Sequence, residues 1–167
     1  AVPSPGPLEV SVSYTTLGIE HILLGIDHLL FVAALVMLVR GRRQLVLTIT
    51  AFTVAHSITL ALATLGLIAI PSPPVEAAIA LSITFVAVEI LRREQGRRSL
   101  ASEQPWLVAF SFGLLHGLGF AGALAEVGLP GNSIPLALLF FNIGVEIGQL
   151  IFVGALLAAT TGVVAAA

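Results

Sequence analysis

The apolar residues of this chain run in long uninterrupted blocks, and the blocks are separated by short stretches rich in arginine, proline or glycine. A block of roughly 20 apolar residues is the length of a helix that crosses a bilayer. The first runs from about Leu17 to Val39 and stops at Arg40-Gly-Arg-Arg43. The second runs from Gln44 to about Ala69, ahead of the breaker Pro71-Ser-Pro-Pro74. The third covers about Val75 to Leu91 and stops at Arg92-Arg93; Glu94 to Gln104 is polar and reads as a loop. The fourth starts near Pro105-Trp106, a first-turn proline beside an interface tryptophan, and ends by Val127. The fifth begins near Ile134-Pro135 and runs to about Ala159. Backbone polar groups in hydrocarbon need internal partners, so such blocks must be helices. The expected fold is all-α: a polytopic transmembrane bundle of about five spans over residues 17–167.

Residues 1–16 are Pro/Ser-rich, with polar β-type residues, and read as an extracytoplasmic N-terminal segment. They lack the basic start of a signal peptide, so a signal peptide or an exported domain is expected to have preceded them. The tail Thr160 to Ala167 carries no signal. A sixth span, missing from this sequence, is left open.

Composition agrees with the pattern. The chain is 57% hydrophobic and 10% charged, too few charges to cover a water-soluble domain. There is no cysteine, so any metal would be held by imidazole and oxygen rather than thiolate. All seven basic residues are arginines, and they fall in two loops, Arg40 to Arg43 and Arg92 to Arg98. These follow the first and third spans. The positive-inside rule then sets the N-terminus outside and the C-terminus inside, as in a bacterial inner membrane. The bilayer and a metal ion are the expected partners, with no nucleic acid; a homo-oligomer is left open.

The candidate chemistry lies in polar residues placed where lipid should exclude them. A charge at the centre of a membrane helix costs roughly 2.5–3.5 kcal/mol on insertion scales. All four histidines, His21, His28, His56 and His116, nevertheless lie within spans, as do Glu20, Asp27, Glu89 and Glu146. Counting about 1.5 Å per residue from the span limits brings Asp27, His28, His56, His116 and Glu146 to one depth, the bilayer midplane. Scattered core histidines have no reason to align in this way. On a continuous helix His21 lies about 10 Å nearer the outside than His28, on the same face. Glu89 lies about 9 Å toward the cytoplasm from its own midpoint. Asn142, Glu146 and Gln149 form a polar stripe at i, i+4 and i+7, and Thr53 and Ser57 flank His56. Gly113 and Gly117, Gly18 and Gly25, and Gly144 and Gly148 suit close packing of helices in lipid. Glu76 and Glu126, near span ends, read as solvated. Imidazole and carboxylate without thiolate suit zinc, nickel, cobalt, iron or Cu(II) by ligand type.

The segment His21-Ile-Leu-Leu-Gly-Ile-Asp27-His28 resembles the His-x5-Asp-His signature of the HupE/UreJ family of membrane proteins. Ala55-His56-Ser57, His116-Gly117 and Phe141-Asn142-Ile-Gly-Val-Glu146-Ile-Gly-Gln149 are similar to its larger branch. The resemblance covers about Leu17 to Phe152. The family is associated with hydrogenase and urease gene clusters and is taken to contain nickel or cobalt permeases. The resemblance therefore implies metal uptake through His21, Asp27 and His28. One departure is Ile22, where proline often follows the first histidine in hydrogenase-linked members; it bears on the metal more than on the fold.

Two functions follow. In the first, the protein is a permease for a divalent transition metal, nickel or cobalt before zinc. Its ligands are His21, Asp27, His28, His56 and His116, and its path is marked by Glu20, Glu89 and Glu146. In the second it is an intramembrane metal-dependent hydrolase with a zinc-type His/Asp site. An open zinc position would then activate water, with Glu146 as general base and Asn142 or Gln149 polarising a carbonyl.

Overall fold

The computed structural model describes residues 6–98, 100–127 and 133–166, apart from the side chains of 121–123, 125–127 and 162–166. Glu126 and residues 1–5 thus lie outside what is described. The described residues form seven helices and no strand: α1 Pro7–Leu24, α2 Ile26–Leu38, α3 Arg42–Thr64, α4 Ser72–Glu94, α5 Leu100–Glu103, α6 Pro105–Val127 and α7 Ile134–Ala166. Helices α3 and α4 and the stretch Ile134–Thr161 of α7 are each long and apolar enough to cross a membrane. The pair α1 and α2 makes a fourth if it is taken as one bent span. Helix α6 is apolar over Pro105–Phe120.

The first apolar block is not the single helix its sequence suggests. It breaks at Gly25, where φ is −81° and ψ is 100°, and α1 and α2 meet at a bend of 73°. The helix also starts earlier than expected, at Pro7, with proline in its first turn. The polar residues that read as non-helical satisfy themselves on the helix. Ser11, Thr15 and Thr16 donate to the carbonyls of Pro7, Ser11 and Val12 at 2.8, 2.8 and 3.0 Å. Val10 and Tyr14 are then buried against Ala137, Leu138 and Phe141 of α7. A short helix, α5, likewise interrupts the polar loop between the third and fourth blocks.

Helix directions follow from the contacts. A Cβ on Gly144 of α7 would meet Thr15 and Gly18 of α1, and one on Gly148 would meet Ile19 and Ile22. The two helices therefore run parallel. Helices α3 and α6 do the same: a Cβ on Gly113 would strike the carbonyl of Phe52, and one on Gly117 the carbonyl of His56. Helix α3 runs antiparallel to α7, since Thr53 bonds Gln149 while His56 bonds Asn142. At the far end of α2, Arg93 Nη1 at the end of α4 donates to the Met37 and Leu38 carbonyls at 3.0 and 2.7 Å. The start of α1 thus shares an end of the bundle with the start of α7. The end of α2 lies at the other end, with the two arginine loops. By this geometry α1 and α2 make one crossing with a break in the middle.

Two apolar layers bracket the centre. One, toward the start of α1, contains Ile22, Leu60, Leu124, Phe141 and Val145. The other, toward the arginine loops, contains Phe31, Leu35, Phe52, Val86 and Val108.

Candidate metal centre

The break at Gly25 decides what the four histidines can do together. His21 occupies the last turn of α1 and His28 the first turn of α2. On a continuous helix they would stand about 10 Å apart along the axis. With the chain bent between them their ring centroids are 4.6 Å apart. His21 is therefore a member of the central cluster rather than a separate outer rung. The rings of His56 and His116 lie 6.2 and 4.9 Å from that of His28, and His21 is 5.9 Å from His56. His28, His56 and His116 are buried and His21 is half-buried.

Three of the four rings are each held by a neighbour that leaves one nitrogen free. His56 Nδ1 lies 3.3 Å from Asn142 Oδ1. Asn142 Nδ2 is spent on the Leu138 carbonyl at 2.7 Å, so the amide oxygen accepts and His56 carries its proton on Nδ1. His116 Nε2 lies 3.3 Å from Ser82 Oγ. The Ser82 hydroxyl already donates to the Ile79 carbonyl at 2.6 Å, so His116 donates from Nε2. His28 Nδ1 lies 3.2 Å from the Asp27 carboxylate, which can only accept when ionised. The remaining nitrogens, His21 Nε2, His28 Nε2, His56 Nε2 and His116 Nδ1, are buried without a hydrogen-bond partner. Leaving a buried polar atom unpaired costs about 1–3 kcal/mol. Four such atoms in one place are hard to explain as packing, and they are the lone pairs a metal would use.

Candidate ligand atoms of His21, His28 and His56 lie within 4.8 Å of one another, and so do those of Asp27, His28 and His116. Ligands about 2.1 Å from a metal stand about 3.4 Å apart in a tetrahedron, so the groups need to close only modestly around an ion. Aromatic rings cover both sides. Phe120 and Phe141 stack at 5.2 Å beside His21, which is 3.9 Å from Phe120. Phe31 and Phe52 pack at 5.5 and 5.1 Å from His116.

The other polar residues sit apart from these groups. Glu146 is half-buried and accepts from Thr50 Oγ1 at 2.7 Å and from Thr53 Oγ1; Gln149 Oε1 lies 3.0 Å from Thr53 Oγ1. This seam joins α3 to α7, and Glu146 is in neither ligand group among the described residues. Glu20 is exposed, one residue from His21. Glu89 is buried; its carboxylate takes a bond from Arg92 Nη1 and another from the backbone N–H of Ala101, both at 3.2 Å. Glu76 is exposed. Ser82, Phe31, Phe52 and Phe120 have no place in the sequence reading, and Phe141 enters it only within a family motif. A lone serine in an apolar span was the available signal for Ser82.

A family model described as HupE / UreJ protein matches residues 4–166. The chain belongs to the HupE/UreJ family. No curated protein and no solved structure matches it. As a HupE/UreJ protein built of apolar helices, it is an integral membrane protein.

Proposed function

We propose that this HupE/UreJ protein is a membrane permease for a divalent transition metal, with nickel or cobalt as its cargo. The observation that carries the reading is the convergence of four buried, unpartnered imidazole nitrogens at the break of a membrane helix. Broken helices at the centre of a bundle are a recurrent way of building an ion site in transporters. The family's link to nickel and cobalt transport supports the choice of cargo, and imidazole with a carboxylate suits both ions. Zinc shares this ligand preference and is the competitor to test.

In this reading His21, Asp27, His28, His56 and His116 hold the ion in transit. Asn142 and Ser82 orient two of the ligands. Glu20, exposed one residue from His21, attracts cations beside the cluster, and Glu89 stands toward the arginine loops. The arginine loops face the cytoplasm of a bacterial inner membrane. A metallohydrolase would need Glu146 beside the metal, with Asn142 or Gln149 to polarise a carbonyl. The bonds of Glu146 to Thr50 and Thr53, and of Asn142 to His56 and the Leu138 carbonyl, favour transport instead.

The test is uptake of Ni2+, Co2+ and Zn2+ into proteoliposomes containing the full chain. Uptake of Ni2+ or Co2+ that His28→Ala abolishes is expected. Uptake no faster than in protein-free liposomes for all three ions would refute the reading.

A further inference from the structure

We propose that the cluster is two ion positions in series, which share His28 and are filled in turn by one cation. The inference rests on the permease reading and adds a step to it. Within the cluster the candidate ligands do not fall into one five-residue group. They form two three-residue groups, His21 with His28 and His56, and Asp27 with His28 and His116. His28 is the only residue in both.

Each position has its own fixed ligand. His56 is pinned through Asn142 of α7 and His116 through Ser82 of α4. Their free nitrogens cannot exchange roles without breaking those bonds. His28 stands between them, in the first turn after the break. Asp27 changes its part in the step. With the ion among the three histidines, the carboxylate holds His28 Nδ1–H, leaving Nε2 for the metal. In the second position the carboxylate becomes a ligand itself. The ion thus exchanges His21 and His56 for Asp27 and His116 while His28 stays bound, and no covalent bond is made or broken within the protein.

The surroundings order the two positions along the bundle. His21 lies against Phe120 and Phe141, while His56 is stacked between Phe141 at 6.4 Å and Phe52 at 6.1 Å. His116 lies against Phe31 and Phe52. The first position is therefore next to the apolar layer at the end where α1 starts, and the second next to the layer at the arginine loops. Two dications at once would face each other across one imidazole, with Asp27 the one carboxylate in either group. Filling one at a time avoids that repulsion.

The experiment is Co2+ titration of the detergent-purified full chain, followed by visible absorption and metal content, beside cobalt uptake by proteoliposomes. Wild-type protein is expected to bind one Co2+ per chain. His116→Ala and Asp27→Asn should keep one Co2+ with a common spectrum, the asparagine oxygen still accepting from His28. His21→Ala and His56→Ala should keep one Co2+ with a second, different spectrum. All four should lose uptake at least tenfold. Two variants probe each position, so a misfolded one, recognised by circular dichroism, leaves its twin to decide. Binding of two Co2+ per chain, complete loss of binding in a folded variant, one spectrum for all four, or wild-type uptake by any would overturn the proposal and leave the permease reading standing. A wild-type chain that binds and transports no cobalt, nickel or zinc would overturn both.

Discussion

Seven positions apart in sequence, His21 and His28 have ring centroids 4.6 Å apart because the backbone turns at Gly25 between them. The turn leaves no room for a side chain. A Cβ on Gly25 would lie 2.8 Å from the His21 carbonyl oxygen and 2.8 Å from His28 Nδ1. Gly25→Ala should therefore displace the His28 ring and its bond to Asp27. We expect cobalt affinity to fall about tenfold or more, with helix content unchanged, as read by titration beside circular dichroism. Unaltered affinity would mean that the break does not organise the cluster.

Asn142 and Ser82 act through the rings they hold. Asn142→Leu leaves His56 Nδ1 without an acceptor, and Ser82→Ala does the same to His116 Nε2. Each should weaken its own position by about 10–100-fold, the usual scale for such supporting bonds, read as a shift of the Co2+ spectrum toward that of the other position. Asn142→Asp keeps an acceptor and should recover most of the loss, a pattern that mere damage to packing would not produce.

Close packing of α3 on α6 is tested at Gly117. A side chain there would collide with the His56 carbonyl and the Thr59 hydroxyl. Gly117→Val is expected to cost about 1–3 kcal/mol, seen as a lower Tm in detergent. Gly154 faces open space, and Gly154→Ala should leave Tm where it is.

The two outlying carboxylates should separate by what they disturb. Glu89→Ala removes the partner of Arg92 and of the Ala101 N–H, a cost of about 1–3 kcal/mol. It should lower Tm while cobalt binding stays the same. Exposed Glu20 makes the opposite case: Glu20→Ala should spare Tm and slow uptake at low metal concentration. An unchanged uptake curve would remove Glu20 from the path.

Much of this arrangement was legible in the chain. Apolar blocks and their arginine, proline and glycine borders give the helices, because lipid forces backbone bonds to close within each span. His28, His56 and His116 could be brought together by counting residues from span ends, since three straight helices share one rise per residue. His21 could not, because the count assumes a helix that Gly25 interrupts. Gly18 and Gly25 look alike in sequence. The first is a contact point, where a Cβ would meet the Phe141 carbonyl of α7, and the second is the break. What separates them is the packing of α1 on α7 and of α2 on α4, which no local pattern encodes. Residues 7–16 were misleading for a related reason: Ser11, Thr15 and Thr16 look like breakers until their hydroxyls find the helix's own carbonyls.

The break has an electrostatic consequence of its own. A helix carries about half an elementary charge at each end, negative at the last carbonyls and positive at the first N–H groups. An unbroken span keeps both ends at the membrane surfaces, where water screens them. Here the end of α1 and the start of α2 meet at the depth of the histidines, between two apolar layers. The centre of the bundle therefore has a built-in polarity made of backbone alone, negative at the last turn of α1, which carries His21, and positive at the first turn of α2, which carries Asp27 and His28. Replacing every imidazole would strip the ligands but leave that backbone dipole in place.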